Sequence, residues 1–116
     1  MSSEQSGAII LTVFYILDLD KKSDNYFTPS YISNRYNELL RQYPHGERIK
    51  NIINSRKKHS GKNTIKTLEE TSRTRNWLNM HTNTKKIFWF IARNGEFKLK
   101  PEYIEALNNL IKPYKT

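Results

Sequence analysis

The chain has 116 residues, with 20 Lys and Arg against 11 Asp and Glu for a formal charge of +9, and no cysteine. That length builds one core and not two. The missing thiols exclude a disulfide scaffold, a thiolate zinc site and a cysteine nucleophile, and fit a cytoplasmic, nucleoid-associated setting. A mean hydropathy of −0.80 beside 12% aromatic residues describes a polar chain that can still fold.

Residues 1–7 are small and polar and predict a disordered N-terminus ahead of a single domain over residues 8–112, with residues 113–116 as a tail. The longest apolar run, AIILTVFYIL, begins at Ala8. It is shorter than the roughly 20 residues of a membrane-crossing helix, so no membrane partner is expected. Glu4 and the lack of a basic residue before the run do not fit a signal peptide. Periodicity leaves Ala8–Leu19 open between buried helix and buried strand, and its length favours helix.

Tyr26-Phe27 reads as a short extended piece. Thr28-Pro29 is the clearest helix start, with Thr as N-cap and Pro at the first helical position, where no N–H is missed. Ile32, Tyr36, Leu39, Leu40 and Tyr43 then share one helical face, and Pro44-His45-Gly46 ends it. A second helix is expected over Glu47–Lys58, with Ile49, Ile52 and Ile53 inward and Lys50, Asn54, Arg56 and Lys57 outward. After the loop 59–62, Thr67-Leu68-Glu69-Glu70 has capping-box spacing and predicts a helix running through Asn76 or beyond. Lys86–Ala92, KIFWFIA, reads as a strand, Arg93-Asn94-Gly95 as a hairpin turn, and Glu96–Leu99 as its return, with Phe97 and Leu99 on one face. Pro101 opens a last helix striped by Ile104, Leu107, Leu110 and Ile111.

Charge is not spread evenly. Residues 1–44 sum to −1 and residues 87–116 to +2, whereas residues 45–86 hold eleven basic and three acidic side chains, net +8. A solubilising charge would be mixed over the surface, and a single block is what a polyanion-binding face requires. The bland alternative is a solvated basic helix without a partner.

Helix, short strand, helices carrying the charge, β-hairpin and final helix follow one another in an order that resembles a winged helix-turn-helix domain over residues 8–100. The implied fold is mainly α with a small β-hairpin (α+β), with an extra helix, since such domains place three helices before the wing and four are predicted here. Either Glu47–Lys58 or the helix ending near Met80 is then the recognition helix. The second leads directly into the hairpin and is slightly preferred.

The resemblance implies double-stranded DNA as partner, no cofactor and no catalysis. A helix in the major groove offers Arg to guanine and Asn to adenine. Arg73, Arg75, Asn76 and Asn79 suit the later helix, and Lys50, Asn51, Asn54 and Arg56 the earlier one. Lys57, Lys58, Lys62 and Lys66 suit phosphates, which fix position without reading sequence, and Lys85 and Lys86 complete the expected DNA-binding set. Arg93 and Asn94 at the hairpin tip suit the minor groove or flanking backbone. Dimerising on paired half-sites would add affinity, and the stripe on the last helix either forms that interface or caps the chain's own core.

Other readings fit less well. Phe88 and Trp89 as stacking platforms would point to RNA or single strands, but on an alternating strand at least one ring faces the core. His45, His59 and His81 lack metal-ligand spacing. Asp18 and Asp20 with Glu96 and Lys98 have the residue types of a metal-dependent nuclease site in the wrong element order. A basic module for an acidic protein is the remaining class.

Overall fold

The computed structural model describes residues 3–56, 65–82 and 88–115. In chain order it comprises α1 (Ser3–Leu19), α2 (Pro29–Leu40), α3 (His45–Ser55), a 3₁₀ turn (Lys66–Glu69), α4 (Thr71–Met80), strands β1 (Phe90–Arg93) and β2 (Glu96–Leu99), α5 (Pro101–Ile111), and a closing 3₁₀ turn (Lys112–Tyr114). The fold is mainly α with one two-stranded antiparallel hairpin. Among the described residues no helix is long and apolar enough to cross a membrane.

The open choice at Ala8–Leu19 resolves as helix. It begins at Ser3, so residues 3–7 extend it where a disordered end was expected. Every residue from Ala8 to Leu17 is buried, none more than 3% exposed. A helix apolar on all sides can only be an interior one. The one hydroxyl in the run, on Thr12, donates to the Ala8 carbonyl at 2.7 Å and is thereby satisfied within the helix. Around this rod pack α2, α3 and α5.

Thr28 caps α2 as expected: its hydroxyl accepts from the Tyr31 N–H at 3.1 Å, and Pro29 opens the helix. Ile32, Tyr36 and Leu39 face inward. Tyr43 departs from expectation; it lies beyond the helix end and is 88% exposed, because α2 stops at Leu40. α3 starts at His45, within the segment expected to be a helix stop, and closes at Ser55 with Arg56 as C-cap, before the expected Lys58. Gly46 sits where a Cβ would run into the Leu40 carbonyl. The tight passage from α2 into α3 therefore needs a residue without a side chain.

The capping box at Thr67 does not form. Residues 66–69 wind as a 3₁₀ turn around buried Leu68, and Glu70 occupies the N-cap of α4 without a side-chain cap. The buried Thr74 hydroxyl lies 2.9 Å from the Glu70 carbonyl and 3.1 Å from that of Thr67, tying turn and helix together. Trp77 and Leu78 enter the core, and Met80 stays exposed.

The hairpin has the expected register, Arg93 opposite Glu96, with positive φ at both Asn94 and Gly95. These are the angles of a two-residue turn that matches strand twist. β1 is shorter than predicted. Lys86 and Ile87 lie outside the described residues; the rings of Phe88 and Trp89 pack around His81, while the Trp89 carbonyl still accepts from the Lys100 N–H at 2.8 Å. Phe27 forms a bridge with Phe97 through paired backbone hydrogen bonds of 2.7 and 2.8 Å, so the extended piece at Tyr26-Phe27 flanks β2. Within the expected tail, Tyr114 and Lys115 are held against the body: the Tyr114 hydroxyl donates to Ser55 Oγ at 2.7 Å and Lys115 pairs with Asp18 at 2.9 Å.

Gly46→Ala should lower stability by about 1–3 kcal/mol, the usual cost of forcing atoms into a filled space. Urea unfolding measures it, and an unchanged midpoint would show that the α2–α3 corner yields freely.

Candidate nucleic-acid interface

Two helices present the basic block differently. On α3 the apolar residues Ile49, Ile52 and Ile53 point into the core against α1 and α2, leaving Lys50, Asn51 and Asn54 exposed and Arg56 half-buried at the C-cap. On α4, which packs against α2 and the 3₁₀ turn, Thr74, Trp77 and Leu78 are buried. Its outward side chains include Arg73, Arg75, Asn76 and Asn79, all exposed, and the helix holds no acidic residue. Arg73 is drawn to Glu70 at 3.2 Å, an exposed i,i+3 pair that contributes little and releases easily. Lys66 is exposed on the 3₁₀ turn ahead of α4. Lys57, Lys58, Lys62, Lys85 and Lys86 lie outside the described residues.

α4 is joined to the hairpin by a cluster of rings. The His81 carbonyl accepts from the Phe90 N–H at 3.1 Å. Trp77 meets Phe90 edge-on at 5.6 Å and Trp89 at 5.9 Å, while His81 stacks on Trp89 at 4.9 Å and 11°. Phe88 stands edge-on to His81 at 5.6 Å. The sequence offered Phe88 and Trp89 as platforms for bases. The rings are instead engaged with one another, which fixes the angle between the end of α4 and β1. Burial among them pushes the His81 imidazole below its ordinary pKa. The cluster could have been suspected from Trp77, His81, Phe88, Trp89 and Phe90, but nothing in their spacing shows that they meet.

At the far end of the hairpin Arg93 and Asn94 are exposed. The Arg93 guanidinium lies 3.9 Å from the centre of the Tyr26 ring, and Lys98 Nζ lies 5.8 Å from the same centre. The sequence offers Lys98 only in the nuclease reading and Tyr26 only as an extended residue, and nothing in it places either beside Arg93.

Two of the three carboxylates of the nuclease reading, Asp20 and Asp18, have structural partners. Asp20 accepts from Arg35 Nε and Nη2, both at 2.8 Å, and from the Tyr31 hydroxyl. Burial would raise the Asp20 pKa, but the hydrogen bonds from Arg35 and Tyr31, with the Arg35 and Lys22 charges, outweigh it and hold the carboxyl below its ordinary value. Burial and the same carboxylate push the Tyr31 hydroxyl up to about 12. Asp18 is paired with Lys115. Among the described residues no three His, Asp or Glu side chains gather as a metal-ligand set.

On α5, Leu107 and Ile111 are buried in the chain's own core and Ile104 partly so. Only Leu110 of that stripe is exposed, beside a shallow apolar groove lined by Ile10, Leu11, Trp89 and Tyr103. No family model, curated protein or solved structure matches this chain.

His81 supplies a pH test. A histidine with a depressed folded-state pKa stabilises fully above its unfolded value near 6.5, and that stability is lost as pH falls toward the folded value. The melting temperature of the wild-type chain should therefore drop between pH 7.5 and 5.5 by more than that of His81→Phe. Parallel pH profiles would mean that the ring is solvated.

Proposed function

We propose that the chain is a double-stranded DNA-binding protein of the winged helix-turn-helix type, with α4 as recognition helix and the β1–β2 hairpin as wing. The observation that carries this is the docking of the end of α4 against the hairpin. A helix free of acidic residues, with Arg75, Asn76 and Asn79 outward, is locked by the Trp77–His81–Trp89–Phe90 rings to a strand that ends in Arg93. Helix and hairpin are thereby held at one angle, as two elements must be if they grip one duplex. The one-residue bridge from Phe27 to Phe97 sits where such a domain would place its short first strand, and supports the reading.

In this reading α3 is the extra helix, set between α2 and α4 in sequence and packed against α1 and α2. α4 enters the major groove, where Arg75 suits a guanine and Asn76 or Asn79 an adenine. Lys66 and Arg73 hold phosphates. Lys50 and Asn54 on α3 lie outside the main contact. Such a protein suits regulation of transcription or maintenance of plasmid, phage or viral DNA.

Titration of a labelled duplex across a salt series tests the reading. With about five phosphates neutralised, the slope of log K against log salt should be roughly −4 to −5. Arg75→Ala should cost about 1–3 kcal/mol and relax preference at one base pair, whereas Lys66→Ala should weaken all duplexes alike. Tighter binding to single strands than to any duplex would replace this reading with a single-strand binder. No nucleic-acid binding at low salt would favour a protein partner.

A further inference from the structure

The outward face of the hairpin holds two cations over one ring. Strand alternation puts Phe27, Phe97 and Leu99 into the core, and Tyr26, Arg93 and Lys98 on the opposite face. Arg93 stands in register with Glu96, its natural ion-pair partner. Among the described residues it makes no ion pair with that carboxylate, and its guanidinium lies over Tyr26 at 3.9 Å with Lys98 Nζ at 5.8 Å from the same ring centre.

This placement has three consequences. The ring holds the guanidinium by its charge, and among the described residues no carboxylate takes its N–H donors. It also fixes a long side chain in advance, so less rotamer freedom is lost when a ligand binds. Finally, two positive charges above one ring repel each other, and an anion between them relieves the repulsion. A phosphodiester suits this arrangement, since its two free oxygens can take paired hydrogen bonds from Arg and the point charge of Lys. A base edge suits it poorly, because an arginine folded back over the sheet cannot also extend past Asn94-Gly95 into a groove.

We infer that Tyr26, Arg93 and Lys98 form a site for one backbone phosphate, with Tyr26 as the positioning residue that holds Arg93 ready. The site rests on the DNA-binding reading and refines it: the hairpin adds affinity and carries no sequence information.

The test uses the full chain, labelled duplexes of several sequences and a salt series, with thermal unfolding of every variant as control. Arg93→Ala should bind about tenfold more weakly on every duplex, and its salt slope should be shallower by about 0.9. Tyr26→Leu keeps apolar bulk without a π face and should also weaken binding, whereas Tyr26→Phe should bind as wild type. Combining Tyr26→Leu with Arg93→Ala should cost no more than Arg93→Ala alone, as expected for residues acting as one unit. Wild-type affinity for Tyr26→Leu, or additive losses in the double variant, would overturn the positioning role. A loss on Arg93→Ala that differs between duplex sequences would overturn the phosphate assignment in favour of base reading. A wild-type chain that binds no duplex removes the DNA reading and the site together, an outcome distinct from the other two.

Discussion

The structure depends on the burial of one helix from all directions. Ala8 to Leu17 leave water completely, and α2, α3 and α5 each find their apolar partner on this rod. Each large aliphatic or aromatic side chain so buried contributes about 1.5–3 kcal/mol. In a chain this polar, one element carries nine of the 25 buried hydrophobic residues found among the described residues. The other helices can then be strongly amphipathic, each with a narrow inward stripe and a broad polar face. That division releases the outer faces of α3 and α4 for charge.

A second constraint acts at the junction of α4 and the hairpin. The hairpin has only two full strands and would be marginal alone. It is anchored on one side by Phe27 and on the other by rings from α4, so its tip projects from a fixed base. Rigid placement of a charged loop relative to a charged helix distinguishes a gripping surface from a merely basic one. The Arg35–Asp20–Tyr31 network secures the neighbouring corner, tying the start of α2 to the end of α1 through charge-assisted hydrogen bonds.

Local signals in the sequence were read well where the local chemistry leaves no choice. Thr28-Pro29 and Asn94-Gly95 each admit one backbone conformation, and both behave as their residues require. The element order and the inward positions of α3 followed from periodicity, as did Leu107 and Ile111 on α5, whereas Leu110 of the same stripe stays exposed. Errors arose where tertiary packing overrode local preference. Thr67 and Glu70 have the spacing of a capping box, but Leu68 between them is drawn into the core and tightens the segment into a 3₁₀ turn. Phe88 and Trp89 have high strand propensity, yet β1 begins only at Phe90 and their rings pack on His81. The placement of Arg93 over Tyr26 joins residues far apart in sequence and leaves no local trace. The basic character of the candidate interface was legible from composition, and the geometry that organises it was not.

The pairing of Phe27 with Phe97 joins backbones 70 positions apart, while the turn beside it closes over two residues. A hairpin with an Asn-Gly turn closes within about 1–10 μs, because its contacts are local in sequence. The bridge, by contrast, requires α1 and α2 to be seated before its two strands can meet. Opposite edges of β2 thus belong to different stages of assembly. In hydrogen exchange, the amides of Phe27 and Phe97 should open only with the whole molecule, and those near the hairpin tip should open locally.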